Sequence, residues 1–184
     1  MIERLWIRRI LSGDEWAAER LVREHYPRVL KFLRHLTGSA TDAEDLAQQT
    51  FLKAKEALPQ FRGECSLSTW FHRIAYHEFT RLLRDRREFA RPLPERGIDD
   101  SHRSEDAIVL DSALASLPDE MRMAFLLREV QGLSARETAE VLDIPEGTVR
   151  SRCHTARLRL REILEGTWEV ANENKCLEDR NGTI

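Results

Sequence analysis

No alternating Val/Ile/Thr run of useful length occurs anywhere in the 184 residues of this chain, which removes the two-residue period that a half-buried β-strand requires. Helix signals, by contrast, are dense. Ser12 with Glu15, Thr41 with Glu44 and Ser134 with Glu137 each have the spacing in which a hydroxyl caps a helix and a carboxylate three residues on returns the bond, placing helix starts near residues 13, 42 and 135. Apolar residues follow at helical intervals: Trp16, Leu21, Val22 and Tyr26 after the first, Leu46, Ala47, Phe51, Ala54 and Leu58 after the second, Val141 and Leu142 after the third. Pro27 predicts a helix boundary or kink, and Gly38 a helix stop. The expected fold class is all-α.

A hydrophobic content of 41% suits a packed protein, and the length suits one medium domain or two small ones. Residues 90–106 favour two, because they combine two prolines, a glycine and polar residues without periodicity, as a linker does. The formal net charge is only -3, so any argument about nucleic acid must rest on where the charges lie. They are segregated. Arg73, Arg81, Arg84, Arg86, Arg87 and Arg91 crowd one stretch, whereas Glu95, Asp99, Asp100, Glu105, Asp106, Asp111, Asp119 and Glu120 dominate the next. The last residues, Thr167 to Ile184, are rich in Asn, Glu and Asp and are expected to form a loosely ordered tail.

Several functional classes drop away at this point. Cys65, Cys153 and Cys176 form no CxxC pair and leave an odd count, which points to reduced thiols in a cytoplasmic protein and to no zinc site. The longest unbroken apolar run is Met123 to Leu127, far short of the roughly 20 residues that cross a bilayer, so neither a signal peptide nor direct membrane insertion is expected. His72, His77 and Cys65 offer neither metal spacing nor a Cys/His/Asx arrangement for nucleophilic catalysis, so no metal, no cofactor and no enzymatic activity are expected.

Residues 134–161 predict two short helices joined by a tight turn. Ala135, Ala139 and Leu142 line an apolar face of the first, and Pro145 ends it by biasing Ile144 out of the helical region. In the second, Val149, Cys153, Ala156, Leu160 and Ile163 recur inward, which turns Arg150, Ser151, His154 and Arg157 outward. Such a face fits a major groove, where Arg pairs bidentately with guanine and Ser or His meets phosphates or base edges.

A second basic helix is predicted from Ser68 to about Arg87. Phe71, Ile74, Ala75, Phe79 and Leu82 take core spacing, while Arg73, His77, Arg81 and Arg84 form a separate stripe. A basic stripe beside aromatic rings suits the phosphates and bases of single-stranded DNA, although Trp70 and Phe71 themselves are expected mainly to pack.

Three segments together carry a family resemblance. The run from Phe61 to His77, Phe-Arg-Gly-Glu-Cys-Ser-Leu-Ser-Thr-Trp-Phe-His-Arg-Ile-Ala-Tyr-His, resembles the region of extracytoplasmic-function (ECF, group IV) sigma factors that opens the minus-ten promoter element. Asp42 to Ala54 resembles their helix for core RNA polymerase, and Leu117-Pro118 with Gly147-Thr-Val-Arg-Ser-Arg152 resembles their minus-thirty-five domain. The three lie in the family's order, over about residues 10–165. The resemblance implies a sigma2-like domain at 1–90, a flexible acidic linker at 91–110, a sigma4-like helix-turn-helix domain at 111–166 and a polar tail at 167–184.

It further implies that Asp45, Gln48 and Gln49 meet the clamp of the polymerase's largest subunit. Arg73, His77, Arg81 and Arg84 would meet the minus-ten strand, from which a base is flipped into a pocket. Arg150, Ser151, His154 and Arg157 would meet the minus-thirty-five duplex. The family often has Asn at the position of His77 and a basic residue at that of Thr155, so the promoter sequence does not transfer. The partners implied are core RNA polymerase, promoter DNA as duplex and as melted single strand, and an anti-sigma factor, often membrane-bound. A helix-turn-helix repressor or activator acting without being a polymerase subunit is the alternative, disfavoured by the aromatic, basic helix, which a duplex-only regulator does not need.

Overall fold

The structure is a computed structural model that describes residues 2–88 and 105–181, with side chains over 5–86, 88 and 108–166. The described residues contain helices and no strand. They are α1 (Ile2–Leu11), α2 (Glu15–Thr37), α3 (Ala40–Ala57), a 3-10 turn (Leu58–Gln60), α4 (Leu67–Glu88), α5 (Glu105–Ser116), α6 (Asp119–Phe125) running on through a π-helical turn (Leu126–Val130), α7 (Ala135–Leu142) and α8 (Glu146–Asn181).

Local chemistry accounts for the helix ends. Asp14 caps α2, its carboxylate accepting from the Ala17 N–H at 3.0 Å, while the Ser12 hydroxyl donates back to the Arg9 carbonyl and so belongs to the end of α1. Ser39 caps α3, accepting from the Asp42 N–H. Both starts therefore differ by about two residues from those expected at Ser12 and Thr41, because a better-placed oxygen stood close by in each case. The Ser134–Glu137 box is present as expected, with both of its reciprocal bonds. Gly38 stops α2 in the left-handed conformation at φ 67°, its N–H donating to the Arg34 carbonyl. Pro27 lies inside α2 and marks no boundary.

The inward face of α2 also differs from expectation. Ala17, His25, Val29, Phe32, Leu33 and Leu36 are buried, whereas Trp16 is 56% exposed and Val22 is exposed as well. Trp16 instead lies against Trp6 of α1, ring centroids 5.7 Å apart, with the Arg9 and Arg20 guanidinium groups over both rings. α1 thus supplies the surface that draws this aromatic away from the core.

Helices α2, α3 and α4 pack on one another, and α5, α6 and α7 pack on α8. The two groups also touch: α4 lies against α7, and α2 against α5 and α6. Buried apolar residues run as one continuous cluster from Ile7 to Leu160. Inside it, Phe51 and Phe71 stack at 4.7 Å, Phe71 meets Trp70 edge-on, and Trp70 meets Phe61, so Phe71 is a core residue and Trp70 a partly buried one, as expected. Burying the aromatic pair beneath α3 fixes the angle at which α4 leaves the loop before it.

Two segments depart from the expected boundaries. α5 occupies Glu105–Ser116, within the last residues expected to be linker, and residues 89–104 lie outside the described set. The tail expected to be loosely ordered continues α8 as helix to Asn181. After Gly166 no proline or glycine interrupts it before Asn181, and Glu, Ala, Lys, Leu and Arg favour the helix that is already under way.

Candidate nucleic-acid interface

In the helix-turn-helix, α7 ends at Asp143, whose backbone is left-handed at φ 53° and whose N–H donates to the Ala139 carbonyl. Pro145 then begins the turn into α8, with Thr148 N–H donating to its carbonyl at 2.9 Å. Val149, Cys153, Ala156 and Leu160 are buried along α8, so Arg150, Ser151, His154 and Arg157 stand exposed on the opposite face, where the spacing placed them. Ile163 is only partly buried, and on α7 the buried set is Thr138, Val141 and Leu142 rather than Ala135 and Ala139. Burial raises the Cys153 thiol above its ordinary value, which keeps it a neutral packing group.

Each arginine of this face is held by a carboxylate. Arg150 pairs with Glu146 at 2.9 Å, Arg157 with Glu129 at 2.6 Å, and Arg152, which the sequence did not single out, with Glu120. The first of these pairs lies within α8 itself, while the other two tie α8 to Glu120 of α6 and to Glu129 of the π-helical turn. Below the face, Arg122 is buried and reaches the Ala115 carbonyl and the Asp119 carboxylate, tying α6 to α5. The π-helical turn, closed by the Gln131 N–H to the Leu126 carbonyl, lets Leu126 and Leu127 both be fully buried.

On the other unit, Ser66 caps α4, its hydroxyl accepting from the Thr69 N–H. Phe71, Ala75 and Phe79 are buried beneath it, with Ile74 and Leu82 partly so, and Arg73, His77, Arg81 and Arg84 are exposed in one stripe. The stripe is anchored to α3 from below. Glu78, 4% exposed, takes Lys53 of α3 and Arg81 of its own helix, the latter at 2.8 Å. Arg81 also donates to the Gln49 side chain at 3.1 Å, and Arg86 pairs with Asp42. Asp45, Gln48 and Gln49 are all exposed on α3. The candidate polymerase-binding and minus-ten residues therefore form one surface, joined at the Arg81–Gln49 bond.

Sequence reasoning missed Lys53 and Glu78, since an ion pair spanning 25 residues has no local signal. It also missed the third face of α4. There the Ser66 and Thr69 hydroxyls reach Glu137 of α7 at 3.2 and 2.9 Å, and the His72 ring has the Gln131 side chain beside it. Burial holds His72 below its ordinary value, outweighing the help that the Ser68 carbonyl and Gln131 give the protonated ring. Glu137 is held below the usual range for a glutamate, chiefly by the Ser134 N–H of its capping box and further by the hydroxyls of Ser134, Thr69 and Ser66. Among the described residues no group of His, Cys, Asp and Glu is placed to hold a metal ion, and no helix is long and apolar enough to cross a membrane.

Comparison with known proteins follows the same division. The family model for Sigma-70 region 2 matches residues 21–89, and that for Sigma-70, region 4 matches residues 108–160. The chain is 34% identical over 157 residues to the ECF RNA polymerase sigma factor SigM of Mycobacterium tuberculosis, covering 84% of this chain and 80% of that protein. It is 32% identical over 180 residues to the RNA polymerase sigma-H factor of Pseudomonas aeruginosa, covering 86% and 92%. Among solved structures, the sigma factor RpoE in complex with the anti-sigma factor NepR from Bartonella quintana superposes with a TM-score of 0.72 at 27% identity, over 80% of this chain and 96% of that one. CnrH in complex with the cytosolic domain of CnrY gives 0.68 at 26%, over 89% and 97%. With two exposed basic faces on two helical units, each unit matched by its own region model and the whole by full-length relatives, this chain belongs to the ECF sigma factors of the sigma-70 family.

Proposed function

We infer that this chain is the promoter-specificity subunit of an RNA polymerase, directing the core enzyme to a set of promoters and starting transcription there under the control of an anti-sigma factor. The observation that carries this reading is the presence of two separate exposed basic faces in one chain, on α4 and on α8, the first beside aromatic residues and continuous with the exposed surface of α3. A duplex reader needs only the second.

In this reading the unit at 1–90 binds polymerase and the minus-ten element, residues 91–110 tether it, and the unit at 111–166 reads the minus-thirty-five duplex. Asp45, Gln48 and Gln49 meet the polymerase. Arg73, Arg81 and Arg84 hold the backbone of the melted strand, with His77 at the base step where strand opening begins. Arg150 and Arg157 pair with base edges or phosphates in the major groove, and Ser151 and His154 fill the contacts between them. The protein supplies recognition and strand separation while the polymerase performs the chemistry, which places its work in the cytoplasm. The anti-sigma partners in the two solved relatives support a similar holder for this chain.

Run-off transcription with purified core RNA polymerase, with and without the protein, on a pool of genomic promoter fragments at fixed salt tests the reading. Initiation only when the protein is present is the expected result. Sequence-specific duplex binding with no initiation would make the chain a helix-turn-helix regulator instead.

A further inference from the structure

The basic groups of the α4 stripe are not alike. Among the described residues Arg73 and Arg84 stand exposed with no carboxylate against them, and His77 has the Tyr76 ring beside it, 5.8 Å between centroids. Arg81 is held. Its Nη2 donates to the Gln49 side chain of α3 at 3.1 Å and lies 2.8 Å from Oε2 of Glu78, one helical turn before it. Glu78 is buried, and its other oxygen takes the Lys53 ammonium of α3. Oε2 is sealed from solvent and accepts no well-aligned hydrogen bond, so the Arg81 charge is what offsets its desolvation. Half of the Arg81 side chain nevertheless stays exposed, open to a strand above it.

Burying a carboxylate is unfavourable in itself, and α3 and α4 are already joined by the Phe51–Phe71 stack. What Glu78 adds is direction. An arginine on a solvated helix face samples many rotamers and has to be ordered when a phosphate arrives, whereas one clasped by a carboxylate and an amide has lost that freedom beforehand. We propose that Glu78 is a positioning residue for the minus-ten strand: with Gln49 it aims the Arg81 guanidinium, and this one fixed arginine sets the register of a strand that Arg73 and Arg84 hold loosely. The assignment rests on the reading of α4 given above and adds the residue beneath the stripe on which its geometry depends. Glu78 touches no DNA. Its negative charge by itself repels a strand, so charge and positioning predict opposite outcomes when it is neutralised.

Two measurements separate them. In the free full-length chain, nuclear magnetic relaxation of the arginine Nε–H groups should find Arg81 ordered and Arg73 and Arg84 mobile. Glu78→Gln, which keeps the shape and an acceptor for Lys53, should make Arg81 as mobile as the other two. The second measurement uses polymerase holoenzyme on a fork template whose minus-ten non-template strand is single, taken from a promoter recovered by run-off transcription. There Glu78→Gln should weaken binding on the order of fivefold, the effect of having to order one long side chain, although it removes a negative charge. Arg81→Ala should weaken binding and lower the slope of log affinity against log salt by about 0.7, one phosphate contact on a single strand. Adding Glu78→Gln to Arg81→Ala should change nothing further, because the carboxylate acts through the arginine.

An Arg81 as mobile as Arg84 in the wild type would overturn the proposal. So would fork binding that stays the same or tightens in Glu78→Gln, tightening being what charge alone predicts. A further loss when Glu78→Gln is added to Arg81→Ala would overturn it too, since the carboxylate would then act through the fold and not through the arginine. A wild-type holoenzyme that does not bind the fork would count against the polymerase reading instead, and the relaxation of Arg81 in the free chain would still decide whether Glu78 holds it.

Discussion

Helix α4 takes part in two joints of different character. Against α3 it buries Phe71 and Phe79, stacks Phe71 on Phe51, and sinks Glu78 beneath Lys53 and Arg81. Against α7 the polar contacts at its start are two hydroxyls and one carboxylate. Apolar packing and a buried charge cannot be replaced by water without a large loss, because a cavity and an unpaired ion would remain. Hydroxyls and a partly exposed carboxylate can exchange their partners for water at a net cost of about 0.5–3 kcal/mol. One helix thus carries a joint closed by stacked rings and a buried charge, and a joint whose polar part can exchange with water while its apolar part continues the shared core.

The sharpest way to break this contrast is to empty the first joint. Phe71→Ala should destabilise the protein by about 3–5 kcal/mol in chemical denaturation, through lost burial and a residual cavity. A loss below 1 kcal/mol would mean that the α3–α4 joint is no firmer than the other. Next in size, Arg150→Ala should weaken binding to a cognate minus-thirty-five duplex by about 1–3 kcal/mol if the guanidinium meets a base edge, with the penalty absent on a scrambled element. Equal loss on both duplexes would reduce Arg150 to a phosphate contact. Ser134→Ala should cost about 0.5–2 kcal/mol of stability, the usual range for a lost helix cap, measured by thermal unfolding.

The smallest effect is expected from acid. The His72 ring is held below its ordinary value of 6.5 in the folded protein, so below that pH the unfolded chain binds a proton that the folded chain refuses. Stability should fall as pH drops through 6.5 and continue falling until the folded value is reached, and His72→Gln should flatten that part of the profile in urea titrations between pH 7.5 and 5.5. An unchanged slope would show that His72 titrates normally and is not sealed between the units.

How far the amino-acid sequence anticipates this molecule depends on how far apart the interacting residues lie. Ser134 and Glu137 are three positions apart and were readable as a box. The outward set on α8 was readable because one helix has one period and its buried residues are strongly apolar. At Ser12 and Thr41 the same reasoning chose the wrong oxygen, since Asp14 and Ser39 also cap well and nothing local ranks them. Helical spacing places Trp16 inward with Leu21 and Val22, and only the presence of Trp6 and Arg9 of α1 and Arg20 of its own helix explains why it is not. Thr69 and Glu137 are separated by 68 residues, so no periodicity or motif connects them. The sites were therefore visible as faces of single helices, while the contacts that anchor or cover them were not.

The paired arginines of α8 carry one more consequence. In the proposed reading, Arg150, Arg152 and Arg157 would each approach DNA with a glutamate already attached, Glu146, Glu120 and Glu129 respectively. Docking on a duplex would then be an exchange of anions, in which a phosphate displaces a carboxylate and the freed glutamate is left near a polyanion. On that reading α8 resembles an ion-exchange resin loaded with its own counterion, each exposed pair adding at most about 1 kcal/mol to the cost of a new anionic contact.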